Sequence, residues 1–412
     1  MRMVRNNKWI NIIKVVFILA FCLAEFFLMS GDSPYSSILA IVAVCIGFFL
    51  DKNLPIALLM CISILKVSLN TTESIVVFAV VVTVALNEMR IRSIPTLRHY
   101  IWVASFFFIS ALFSTIGGLN PSLTAFFFFI LNWICVFYIA FCISKGKYQL
   151  IFYALLLSGL TVLLQQTIKP LSFLEEGALL NSKDVATAIA VPVFLLVWTV
   201  INEKISILIK ALFVVLATLG LITIISTYSR GVLIALFVTI LYVFFTGVKN
   251  RSFLIIVVAS VIVVAYLSLS DIVVDYDRLA SNLEGGNGRT EIWEAFFRSI
   301  WNAGFLRTLF GCGPGGQVML SVENTYAHSA ILDYFFSFGL FGLAFIIYIL
   351  VSVIVRLVRF KSRFYIGLYI LNIFMFITHG NYVISMFLFL LGICLGAACD
   401  DSSFRKEMTF KL

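Results

Sequence analysis

Charge is scarce in this chain. Asp, Glu, Lys and Arg make up 12% of its 412 residues, about half the share of a soluble domain. So few charges cannot coat a soluble surface, which excludes a disordered chain and an ordinary cytosolic enzyme. Histidine occurs three times and cysteine eight times, with no Cys-x-x-Cys pair and no metal-type Cys/His spacing. A disulfide scaffold and a zinc site are therefore not expected, and the cysteines, mostly inside apolar runs, read as small hydrophobes. The Gly-Lys-Ser/Thr ending of a P-loop is missing.

In place of charge there is apolar bulk. Hydrophobic residues reach 62%, and phenylalanine alone supplies 42. Apolar runs of the length that crosses a bilayer, about 17–25 residues, recur along the chain. The pattern predicts an all-α polytopic integral membrane protein of about 14 transmembrane helices. Residues 1–269 hold spans one to eleven, 270–325 form an extracytoplasmic loop, 326–399 hold three more spans and 400–412 form a tail. The twelfth span is long and is expected to break near Gly339. The first span is too long for a signal h-region and reads as an uncleaved anchor.

The net charge of +9 suggests a basic binding patch until its distribution is drawn. With the N-terminus inside, the inner segments collect nineteen cations and six acids, the outer ones seven cations and thirteen acids. That is the positive-inside bias, so nucleic acid is not needed to explain the charge. Both termini are expected in the cytoplasm. Lys14, Glu25, Lys66 and Lys210 fall inside spans. Each is close enough to a span end to snorkel, which argues against a charge-lined transport path.

Polar residues gather in the one long outer segment. Arg289–Asn302 repeats Ile292, Trp293, Phe296, Phe297, Ile300 and Trp301 at helical spacing opposite Glu291, Glu294, Arg298 and Asn302. This predicts an amphipathic helix, lying on the membrane surface or capping the bundle. Gly311-Cys312-Gly313-Pro314-Gly315-Gly316 follows. It reads as a tight turn, with an anion-binding nest of backbone amides as the alternative. His328 precedes the next apolar run, and Arg230 sits at the outer junction of spans nine and ten. Two permanent cations and one group titrating near neutrality suit an anionic lipid-phosphate substrate.

Together these residues resemble the O-antigen ligase and polymerase superfamily, the Wzy and WaaL type. The resemblance rests on Ser229-Arg230-Gly231, the Arg289…Trp293 helix, Gly311-x-Gly313-x-Gly315, and Ala327-His328 with Gly339-x-x-Gly342. It covers about residues 226–345, and Ser329 stands where the family often has Asn. It implies glycosyl transfer at the outer face of the bacterial cytoplasmic membrane from an undecaprenyl-diphosphate-linked donor. The donor arrives activated, so no cofactor and no metal are implied. His328, Arg289 and Arg230 are the implied catalytic residues. Arg278 and Arg307 are further candidates for phosphate contact, with Lys169 and Lys183 in another outer loop. Tyr228, Glu323 and Tyr326 are candidates for sugar. The implied partners are the lipid-linked oligosaccharide, membrane lipid and a chain-length regulator protein.

Within that superfamily the expected activity is a repeat-unit polymerase of an O antigen or capsule. A ligase that moves finished chains to lipid A–core is the first alternative. A lipid-linked oligosaccharide flippase or other transporter is the second, and an envelope scaffold is a third.

Overall fold

A computed structural model describes residues 2–28, 34–65, 69, 71–89, 94–118, 122–168, 182–227, 229–247, 289–314, 329–378 and 385–399. All regular structure among them is helical: α1 (Arg2–Leu28), α2 (Pro34–Leu50), α3 (Leu54–Leu65), α4 (Thr71–Glu88), α5 (Pro95–Ile116), α6 (Leu123–Ser144), α7 (Gln149–Ile168), α8 (Ser182–Asn202), α9 (Ile207–Ser226), α10 (Arg230–Gly247), α11 (Arg289–Asn302), α12 (Phe305–Phe310), α13 (Ala330–Arg359), α14 (Arg363–Thr378) and α15 (Ser385–Cys399). Eight of these are long and apolar enough to cross a membrane, and five more are shorter apolar helices. The chain is a polytopic membrane protein. The eleventh expected span, 253–269, lies outside the described residues.

The helices alternate in direction, so the bundle has two ends. The end holding the C-termini of α1, α5, α7 and α9 is called the upper end here. Phenylalanine fills the interior: Phe107 stacks on Phe345 with ring centroids 4.1 Å apart, and Trp133 meets Phe345 edge-on. Where backbones must touch, side chains are lost. Gly392 and Gly396 of α15 lie against the Val136 and Ala140 backbone of α6, which lets these two helices pack most closely. All eight cysteines are free, and seven are buried.

The lower end carries an ionic belt. Lys14 donates to Asp51 at 2.5 Å, with side chains 13% and 19% exposed. Lys14 is therefore an ion-pair partner, not the snorkelling residue the sequence suggested. Glu25, also expected to snorkel, lies instead near the upper end, where it is fully buried and accepts from Ser36 Oγ at 2.5 Å. Lys52 pairs with Glu88, but with its side chain 69% exposed. The difference in burial sets the expected energetics. Asp51→Asn leaves a half-buried ammonium unpaired and should cost about 3 kcal/mol, partly recovered in the Lys14→Met, Asp51→Asn double variant. Glu88→Gln should cost less than about 1 kcal/mol. Thermal denaturation of the purified variants reads both.

The lower ends of α10 and α14 meet, where Arg363 Nη1 donates to the Thr246 carbonyl at 2.6 Å. The two helices, of 18 and 16 residues, pack along each other up to the contact of Gly231 with Thr378 at the upper end.

Candidate functional site

At the upper end α14 meets the first turns of α13. Gly339 has φ 65° and ψ −157°, which breaks α13 into Ala330–Phe338 and a longer second half. The break expected near this glycine is present. The first segment drops into the bundle instead of leaving it: Trp133 Nε1 donates to Tyr334 Oη at 3.2 Å, and Tyr334 also meets the Phe376 ring of α14. Asp333 and Ser337 on this segment are fully buried and Ser329 is 5% exposed.

Breaking the helix frees carbonyls that need new donors. The Cys312 amide donates to Phe336 O at 3.0 Å and the Gly313 amide to Ser337 O at 2.9 Å, while the Gly311 amide donates to Arg307 O at 2.7 Å. The turn is wedged between α13 and the upper end of α5. A Cβ on Gly118 would lie inside contact with the Cys312 carbonyl, and one on Gly313 would lie 3.0 Å from Ser114 O. Gly311 and Gly313 have φ 79° and 85°, which glycine adopts without steric cost. The glycine run is thus a structural strap. Its three successive amides at 311–313 are spent on carbonyls, while Gly315 and Gly316 of the run lie outside the described residues. Burial pushes the Cys312 thiol up to about 11, against a smaller opposing effect of the Arg307 charge; it is neutral and unreactive near neutral pH.

α11 is fixed to the same segment. Phe296 stacks on Phe336 with centroids 4.5 Å apart and planes 14° from parallel, and Ile300 is buried beside them. Part of the expected apolar stripe therefore docks on α13 and caps the bundle. Its flank stays outside, with Trp301 78% exposed, followed by Phe305 and Leu306. Glu294 pairs with Arg298 on the exposed side.

The candidate residues fall on this framework as follows. Arg230 is the first residue of α10, preceded by buried Ser229. Its neighbour Gly231 touches Thr378, the last residue of α14, so closely that a Cβ would overlap the threonine side chain. α14 in turn touches the first segment of α13 through Phe376 and Tyr334. The N-termini of α10 and α13 are thus joined through the upper end of α14. Arg289 is the first residue of α11, seven residues before the Phe296 anchor, and Lys183 is the second residue of α8, which packs beside α10. Arg307 is partly buried in α12. His328, Tyr228, Arg278, Glu323, Tyr326 and Lys169 lie outside the described residues. His328 immediately precedes buried Ser329.

Arginine at the first position of a helix opposes the macrodipole, which favours an anion there, at a cost of about 0.3–1 kcal/mol each. α10 and α11 begin with arginine, as do α1 and α14.

Four groups escape the sequence reading: Gly118, Thr378, Gln165 and Gln166. The Gly117-Gly118 doublet ends an apolar run and marks the close approach of the strap. The Gln165-Gln166 doublet is the most polar step in α7. Thr378 has no signal apart from its contact with Gly231.

The framework is that of a polytopic helical membrane protein. Residues 212–347 match the Wzy_C family, described as O-antigen ligase. That stretch is similar to the Wzy_C domain shared by Wzy polymerases and WaaL ligases. The match runs from α9 to α13 and takes in Arg230, Arg289, Arg307 and His328. Members of this family are glycosyltransferase-like ligases and polymerases, and the family implies lipid-linked glycan substrates. No curated protein matches the chain.

Proposed function

We propose that the protein is a polysaccharide polymerase that transfers a glycan chain from a lipid diphosphate onto a lipid-linked repeat unit. The observation that carries this reading is the pair of arginine-started helices, α10 and α11, inside the family match. In the proposed step the acceptor hydroxyl oxygen attacks C1 of the donor sugar. The C1–O bond to the diphosphate breaks and its electron pair stays on the diphosphate oxygen. Arg230 and Arg289 stabilise the charge that grows there. His328 takes the proton released by the acceptor. A single displacement inverts the anomeric centre, and neither metal nor cofactor takes part. Arg278 and Arg307 are assigned to phosphate, and Tyr228, Glu323 and Tyr326 to sugar.

The same reading has fourteen crossings, both termini in the cytoplasm and the upper end facing outward, where no nucleotide sugar is available. Its partners are the undecaprenyl-diphosphate-linked oligosaccharide, membrane lipid and a chain-length regulator. The family's description as a ligase favours a second reading, transfer of finished chains to lipid A–core.

One gel separates these readings. Surface and lipid-linked glycans are compared in a strain lacking the protein and in strains restored with wild type or His328→Ala. Polymerase predicts a surface glycan cut to a single repeat unit, rescued by wild type and not by the variant. Full-length chains stranded on the lipid carrier mean a ligase. Repeat units trapped on the inner leaflet mean a flippase and end the proposal.

A further inference from the structure

The elbow between α11 and α12 leaves an apolar flank outside the bundle. At about 100° per residue, the docked stripe of Phe296 and Ile300 occupies one side of α11 and the Glu294–Arg298 pair the other. Phe297 and Trp301 are four residues apart, so they are neighbours on the helix surface. They lie along the edge between the two sides, and both are exposed. Ala303 and Gly304 alone separate α11 from α12. The flank then continues into Phe305 and Leu306, 74% and 69% exposed. A contiguous apolar flank of this kind marks a membrane or protein contact.

Contacts fix its depth. Phe310 is one turn beyond Leu306 on the same face of α12. Its ring lies 6.4 Å from that of Phe113 on α5 and 5.3 Å from that of Phe341 on α13. Phe113 is in the last turn of α5, a helix long and apolar enough to cross a bilayer. Phe113 and Ile116 are 62% and 65% exposed, and exposed apolar side chains on a membrane span face lipid. α12 therefore sits at the depth where a span ends, and its exposed face continues the lipid-facing surface of α5 and α13. What lies beside it at that depth is the boundary between headgroups and acyl chains. Trp301 has the chemistry of that boundary, an apolar ring with one N–H at its rim.

The same short helix holds the strap. A Cβ on Gly339 would lie 2.2 Å from the Leu309 carbonyl of α12, and the Arg307 carbonyl accepts from the Gly311 amide. The next two amides satisfy the carbonyls freed by the break in α13. Whatever covers the outer face of α12 therefore bears on that break within a few residues.

We infer that the α11–α12 elbow is a lipid seat: Trp301, Phe305 and Leu306 insert into the leaflet at the upper end, and this contact keeps the strap closed over the break in α13. The occupant is bulk membrane lipid, and the inference does not depend on the glycan-transfer reading. Full-length protein is placed in phosphatidylcholine nanodiscs, with or without bromine on the acyl chains near the headgroup. Trp301 emission is read as the difference between wild type and Trp301→Phe. An indole held roughly 5–10 Å into the boundary should lose about half its emission to the bromines and none to iodide in the water. Quenching by iodide instead means water, and quenching by neither means a protein cover; each overturns the seat. The strap is read at buried Cys312 by its labelling with a charged maleimide, with Cys312→Ser as the blank. Trp301→Glu with Leu306→Glu should raise the labelling rate about tenfold by favouring local opening. Trp301→Phe with Leu306→Phe keeps the flank apolar and should label like wild type. Phe305→Gln, a milder loss on the same flank, should raise the rate about threefold and keeps the test open if the glutamates lower the folded yield. Labelling should be confined to Cys312, with Cys135 in the bundle interior silent. Labelling of both cysteines means general unfolding and removes the link between membrane and strap, as does equal labelling of every variant.

Discussion

Glycan transfer is expected to fall by about two to three orders of magnitude when Arg230 is replaced by alanine, with no loss of folded protein. The two halves of that expectation come from one feature. Arg230 opens α10, where the helix N-terminus carries partial positive charge and a cation is unfavourable by about 0.3–1 kcal/mol. No acidic residue lies in the first turn of α10 to offset it. Removing the guanidinium should therefore leave stability unchanged or slightly raised, while removing its stabilisation of the departing diphosphate. The backbone at this point is pinned independently by the contact of Gly231 with Thr378, so the hairpin survives the loss of the side chain. Arg230→Lys restores charge without the planar fork and should recover only part of the activity. A single-turnover assay with the lipid-linked donor, run beside a thermal melt, reads both halves. Activity within about tenfold of wild type in Arg230→Ala would take this residue away from the reacting centre; low activity with low folded yield would make its role structural.

The spans were legible because apolar length is a one-dimensional signal. Asp51-Lys52-Asn53, for instance, marks the α2–α3 junction directly, since three polar residues cannot sit in hydrocarbon. The break of α13 was legible for a similar reason: Gly339 interrupts an aromatic run within one long apolar stretch, and glycine permits the backbone conformation a break needs. The helix at 289–302 could be read from its repeat, but not the division of its apolar stripe. Phe296 is buried and Trp301 exposed because α13 offers Phe336 at one place and nothing at the other, and that is a property of the partner helix. The ion pair of Lys14 with Asp51 was hidden because the two lie 37 residues apart, on different helices. The meaning of the glycine run changed most. Its residues permit either a phosphate nest or a strap, and what decides between them is the pair of carbonyls freed at Gly339, which no local pattern at 311–316 reveals. The joining of α10 to α14 through Gly231 and Thr378 was equally out of reach, because neither residue carries a pattern of its own.

Three glycine-to-alanine substitutions should separate backbone strain from steric overlap at this strap. Gly117 has φ −88° and its nearest neighbour would be Phe113 O at 3.3 Å; alanine there should be near neutral, helped by lower unfolded-state entropy. Gly304 has φ 94° and ψ 169° with nothing within 4 Å of a Cβ. That backbone region is nearly glycine-only, so alanine should cost about 1–3 kcal/mol from strain alone. Gly339 combines a similar region with a Cβ position that overlaps the Leu309 carbonyl and lies 2.6 Å from the Phe310 nitrogen. Both obstacles are backbone, so neither can rotate away, and the crossing of α12 over α13 must open. The expected cost is about 4 kcal/mol or more, the range reached only when a core contact is broken outright. Opening the crossing also withdraws Cys312 and Gly313 from the carbonyls of Phe336 and Ser337, which frees the first segment of α13 and the start of the chain that follows His328. Gly339→Ala should therefore lose glycan transfer even in the fraction that stays folded, whereas Gly304→Ala should lose stability and keep specific activity. Folded yield, thermal midpoint and activity per folded molecule, measured on the three variants, test the order. If Gly339→Ala melts with Gly117→Ala, the kink is not held by the strap.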